Sequence, residues 1–254
     1  MKIILFGMAL GLLSYHGNGQ TTNSIKVGYT FKINLSRKSI ADSLDVTTHI
    51  GYLMVAPNES FFVIDSKYKE IEKPSATPGL NNSVIILDSM QKIYKNIKEN
   101  NMICEEQGIG AKYWYTDSLH NQQWTIGSET RTIGTYECKK ATCSYWGREY
   151  TAWFSTEIPI SNGPWKFGGL PGLILEIYDN ERKIFYSLKS IQQPCIGKCT
   201  IAIETKKVIS KQLFIAKFKQ GIEKVNIYVQ AQANQNAGAN KVKATMKFDT
   251  IEIY

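Results

Sequence analysis

The chain has 254 residues, of which 43% are hydrophobic and 11% aromatic; this composition supports a packed core and excludes a disordered or low-complexity protein. The formal net charge is +8, yet the basic residues are scattered, with only short pairs such as Lys139-Lys140 and Lys206-Lys207. With no clustered basic stripe, nothing points to nucleic acid as a partner.

The chain opens with Lys2, an apolar run Ile3–Leu13 and the small residues Gly17 and Gly19. That is the layout of a secretory signal peptide, with cleavage expected near Gly19–Gln20. The run is shorter than the roughly 20 residues that span a bilayer, and no cysteine stands at the cleavage point to take a lipid. The mature chain, 20–254, is expected to be exported to the periplasm or beyond, without a transmembrane segment, and to form one β-rich domain.

Ile25, Val27, Tyr29, Phe31 and Ile33 alternate with polar residues, which predicts a half-buried strand. Runs at 50–55 and 61–68 flank the turn signal Pro57-Asn58-Glu59 and predict a hairpin. After the loop 74–82, Ile86, Met90, Ile93, Tyr94 and Ile97 recur at helical spacing behind Ser83, which predicts a helix. Strand signals then crowd together at 112–116, 122–126, 132–145, 149–158, 173–178 and 183–191, the last two joined by the turn Asp179-Asn180-Glu181. Val208–Lys219 predicts a second helix, 230–240 a flexible excursion, and 242–253 a closing strand. The sum is a mainly β fold with α: a curved antiparallel sheet, open or half-barrel, with one or two helices.

Export makes the five cysteines candidates for disulfides. Cys195 and Cys199 flank a compact loop in which Gly197 permits a turn, and they are the candidate pair. Cys138 and Cys143 lie five apart in a strand, so they face opposite ways; Cys104 is free to pair with either. Catalytic material is thin. After leader removal only His49 and His120 remain, too few for most zinc sites, and Asp117, Ser118 and His120 are too close in sequence for a triad. Glu105-Glu106 read as solvated surface. Gly108-Ile109-Gly110 lacks the rest of a dinucleotide fingerprint, and the glycines at 168, 169 and 172 lack the Lys-Ser/Thr of a P-loop. No cofactor or metal is predicted.

The most distinctive stretch is Gly163-Pro164-Trp165-Lys166-Phe167-Gly168-Gly169-Leu170-Pro171-Gly172-Leu173-Ile174-Leu175. Four glycines and two prolines exclude a helix and predict a shaped loop feeding a buried strand. Two readings stay open: a corner that buries its aromatics, or a contact surface built from Trp165, Phe167, Leu170 and Pro171, with Trp153 nearby. Arg148 is read either as an ion-pair partner of Glu157 or Glu176, or as a binder of an anionic group.

Together with Trp124, Tyr136–Thr142, Gly147-Arg148, Ala152-Trp153-Phe154, Ile158-Pro159-Ile160 and Gly163-Pro164, the run Gly169–Ile174 resembles the GLPGLI family over about residues 122–191. The resemblance implies an exported Gram-negative envelope protein without an established activity, of a kind often associated with TonB-dependent outer-membrane receptors. The expected function is a non-enzymatic binding or accessory protein whose partner is such a receptor or an apolar or peptide ligand. The alternative is an envelope hydrolase that uses carboxylates such as Glu157 and Glu176 as acid and base.

Overall fold

The computed structural model describes residues 24–33, 47–65, 92–119, 122–195 and 207–236. The leader, the loop at 74–82, His120, Cys199 and the closing strand at 242–253 lie outside the described residues. Twelve strands form one open sheet, and one helix accompanies it among the described residues.

The strands are β1 (Ile25–Ile33), β2 (Thr47–Ala56), β3 (Glu59–Asp65), β4 (Lys92–Asn96), β5 (Asn101–Gln107), β6 (Lys112–Ser118), β7 (Thr125–Ile133), β8 (Tyr136–Tyr145), β9 (Arg148–Ser155), β10 (Leu173–Asp179), β11 (Ile184–Gln192) and β12 (Val208–Ser210); helix α1 is Lys211–Asn236. Their order across the sheet is β12-β6-β5-β4-β3-β2-β1-β11-β10-β9-β8-β7, antiparallel throughout except where β12 joins β6. The β2–β3 and β10–β11 hairpins form at the expected turns. Trp146 and Gly147, at φ 49° and 73°, make the two-residue hairpin between β8 and β9; positive φ at both central residues suits the right-handed twist of the strands.

Period-two burial defines the inner face. Ile25, Val27, Tyr29 and Phe31 of β1 are buried, as are Phe62 and Ile64 of β3, Ile93 of β4 and Met102 and Cys104 of β5. Phe31 stacks on Tyr186 at 4.4 Å, and Phe62 meets both Tyr29 and Tyr186 edge-on. Each such ring contributes about 1.5–3 kcal/mol through burial. The sheet curls over this face: Lys211, next to the β12 edge, places Nζ 3.6 Å from the ring centre of Trp146 near the opposite edge. Among the described residues no ladder joins β12 to β7, and the sheet they form is open.

Three expectations are corrected. The helical reading fails at its C-terminal end, where Lys92–Asn96 is a strand paired on both sides; five residues cannot separate the two periods, and the flanking strands decide. The run 132–145 is not one strand, because Gly134, at φ 63°, turns the chain between β7 and β8. The second helix extends through 230–236, a stretch read as a flexible excursion. Its start is capped by Ser210, whose Oγ accepts from the Leu213 amide at 3.2 Å. No helix among the described residues is long and apolar enough to cross a membrane.

Candidate functional site

The loop between β9 and β10 fills the inner face of the curled sheet. Trp165, Phe167 and Leu170 are 0–1% exposed, and Phe167 is edge-on to both Trp165 (5.2 Å) and Tyr150 (4.8 Å). Their burial fits the corner reading of this run; Pro171 alone of the four is exposed. The glycines explain the shape. Gly169 has φ 85°, a region that favours glycine. At Gly172 a Cβ would lie 2.1 Å from the Ser155 carbonyl oxygen, so the loop touches β9 backbone to backbone. The Leu173 amide donates to Ile158 O and the Ile174 amide to Asn162 O, each at 3.0 Å, tying the loop's exit to its entry.

Charged side chains pin this loop from below. Lys95 of β4, 1% exposed, donates to Asn162 Oδ1 (2.9 Å), Gly163 O (3.3 Å) and Phe167 O (2.6 Å). Asn162 in turn donates to Ser60 Oγ at 2.8 Å. Burial pulls the Lys95 ammonium down to about 7. Lys166, also 1% exposed, donates to the Tyr115 hydroxyl at 2.7 Å, and Tyr115 donates to Glu106 at 2.7 Å. Asp117 lies 4.0 Å from Lys166 and binds Lys211 closely, locking the start of α1 onto β6. Burial lowers Lys211, with Lys166 beside it adding repulsion, and pushes the enclosed Cys104 thiol up to about 11. The sequence hid this cluster, because Lys166 lies inside an aromatic run and Lys95 inside a segment read as helical.

The remaining candidates scatter. Arg148 pairs with neither Glu157 nor Glu176 but with Asp179, at 3.2 Å, where β9 lies beside β10. Glu176 takes Arg131 at 2.5 Å, while the exposed Glu157 accepts the Glu137 amide at 2.7 Å. Trp153 is buried beneath Arg131, whose guanidinium lies 4.1 Å from the ring centre. Glu105 is not solvated surface: it is 5% exposed, between Lys92 (3.3 Å) and Lys112 (3.0 Å). His49 is half-buried, 6.0 Å from the Phe31 ring. Cys104, Cys138 and Cys143 are all free thiols; the 138 and 143 side chains lie on opposite faces of β8, and β5 is remote from β8 in the strand order.

Much of α1 is open to solvent. Phe214 and Phe218 are buried, and Phe214 stacks on Tyr115 at 4.5 Å. Further on, the helix carries exposed Ile227 (63%) and Tyr228 (65%). Between α1 and the β5–β6 turn lies a groove of about 450 Å³ lined by Ile109, Tyr113, Lys217, Gln220, Lys224 and Tyr228, with Gly221 and Val225 along the helix side. Gly221 builds it: a Cβ there would fall 2.6 Å from Ile109 Cβ. Gly221 lies just past the helix predicted over 208–219, so the sequence pattern does not mark it.

Residues 147–176 match the family described as a protein of unknown function (Porph_ging), and that stretch contains Gly169–Ile174. No curated protein matches the chain. Among solved structures, PNGF-II in space group C2 is similar at 14% identity with a TM-score of 0.50, over 78% of this chain and 33% of that one. PNGF-II in space group P21 gives 14%, 0.48, 78% and 34%. The chain thus spans about a third of PNGF-II, and the likeness is one of fold.

Proposed function

We propose that this chain is a GLPGLI-type binding protein of the Gram-negative envelope, exported by its leader, with the flank of α1 as its binding surface. One observation carries the reading. The aromatic loop that sequence pattern offers as a contact surface is buried, whereas α1 presents exposed Ile227 and Tyr228 beside a ligand-sized groove. In this account the motif loop and its lysines keep the curled sheet rigid, and the rigid sheet holds the groove in shape. Association with a TonB-dependent receptor belongs to the same proposal, as the route by which a bound ligand or the α1 flank is used.

The hydrolase reading has less support. Its two carboxylates are engaged in separate contacts, Glu176 with Arg131 and Glu157 with a backbone amide. Cross-linking the tagged mature protein in its own cells, followed by mass spectrometry, tests the proposal. Wild-type protein should recover one outer-membrane receptor reproducibly, and Ile227→Ala/Tyr228→Ala should lose it while keeping wild-type thermal stability. Equal recovery by both proteins would remove α1 from the account.

A further inference from the structure

We infer that the groove between α1 and the β5–β6 turn binds a small molecule carrying a phosphate or a carboxylate, an inference that rests on the reading of α1 as the binding flank. Lys217 and Lys224 line it together. They stand seven residues apart, which is two helical turns, so both project from one face of α1. Neither has an ion-pair partner among the described residues, and the groove lining contains no acidic side chain. The acid of this part of the helix, Glu223, lines the separate groove on the other flank, with Lys219. Two ammonium groups over one concavity, uncompensated among the described residues, attract an anion, because their fields add.

The rest of the groove suits the body of such a ligand. Gln220 adds an amide between the two lysines, Ile109 and Val225 supply apolar surface, and Tyr228 presents an exposed ring. Its walls are closely fitted. Gly221 stands mid-helix, where glycine is about 1 kcal/mol less favourable than alanine, yet Ile109 occupies the space a side chain would need. Across the groove Gly108 does the same for Tyr113, whose ring carbon would lie 2.7 Å from a Cβ at 108, and Tyr113 is braced edge-on by Phe214 at 5.8 Å. Two glycines that position Ile109 and Tyr113 give the groove fixed walls, so ordering on binding falls on the exposed side chains of Lys217, Gln220 and Lys224. The volume falls within the roughly 300–1,000 Å³ of small-ligand sites.

Titration calorimetry of the mature protein at low salt, with glucose 6-phosphate, glucuronate and uncharged glucose as probes, tests this. Both acids should bind at least tenfold more tightly than glucose, and added salt should weaken them. Lys217→Gln/Lys224→Gln should erase the preference without shifting the melting temperature, since both side chains are exposed. Equal binding of glucose and the acids, lost in Tyr228→Ala, would overturn the anion inference and leave the groove reading standing. Acid binding unchanged in the double lysine variant would overturn both. Binding only to phosphatidylglycerol vesicles, with no soluble probe held at about 10 mM, would overturn the small-ligand inference in favour of a membrane surface.

Discussion

Replacing Gly172 by alanine should damage this protein more than any other single methyl group added to a loop. The new Cβ would lie 2.1 Å from the Ser155 oxygen, 2.6 Å from its carbonyl carbon and 3.0 Å from the Thr156 nitrogen. All three are backbone atoms, so no rotamer change relieves the clash and the chain itself must move. Overpacking of this kind costs about 1–3 kcal/mol. The displacement also strains the Leu173–Ile158 and Ile174–Asn162 bonds, both 3.0 Å, each contributing about 1 kcal/mol. The reduced entropy of the unfolded chain returns about 0.4–1 kcal/mol, which leaves a net loss of roughly 3 kcal/mol. Urea unfolding followed by tryptophan fluorescence reads this as a shifted midpoint at unchanged slope. Gly134→Ala is the control: that glycine, unlike Gly172, has positive φ, and a Cβ there meets nothing within 4 Å, so only the left-handed penalty of about 1–2 kcal/mol applies. A Gly172→Ala loss no larger than the control's would refute the backbone-contact argument.

Other predictions concern the charges and the thiols. Lys95 holds its proton only up to about pH 7 in the folded state and to about 10.4 when unfolded. Between these values the unfolded chain binds the extra proton, so stability should rise with pH by up to about 1.4 kcal/mol per unit; Lys95→Met should lose that slope, and parallel pH profiles would contradict the assignment. Arg148→Ala strands Asp179, whose side chain is 3% exposed; by breaking a buried pair it should destabilise by about 3–5 kcal/mol in denaturant titration, whereas a solvent-facing anion binder would lose almost nothing. Thiol titration of the unfolded, unreduced mature protein should count three free thiols, Cys104, Cys138 and Cys143, if Cys195 and Cys199 pair as proposed; five would exclude that pair.

Much of the sheet could be read from residues alone, because a half-buried strand writes its burial directly: Ile25 to Phe31 alternate in sequence as they do in the core. The motif loop was legible as a rigid shape from its glycines and prolines, but which side of it met solvent was not. That depends on Lys95, Ser60 and Tyr115, from strands distant in sequence, arriving beneath it. The burial of Glu105 was hidden for the same reason, since its cations come from two neighbouring strands. The Arg148 partner is not legible in the sequence, because Asp179 carries a turn signal there, while its carboxylate also accepts the Ile184 amide at 2.8 Å. The α1 groove needs Ile109 and Gly221 in contact, and no local pattern records a contact across so long a span of chain.

Native-state hydrogen exchange of the Phe167, Leu173 and Ile174 amides tests most directly whether the motif is part of the core. These three donate to Pro164, Ile158 and Asn162 within the loop itself. If the loop is the keystone of the inner face, they should exchange only through global unfolding, with opening free energies equal to that from denaturant. Exchange at the low opening free energies of a surface loop, while the β1 and β11 amides stay protected, would show that the motif opens independently and would return it to the role of a contact surface.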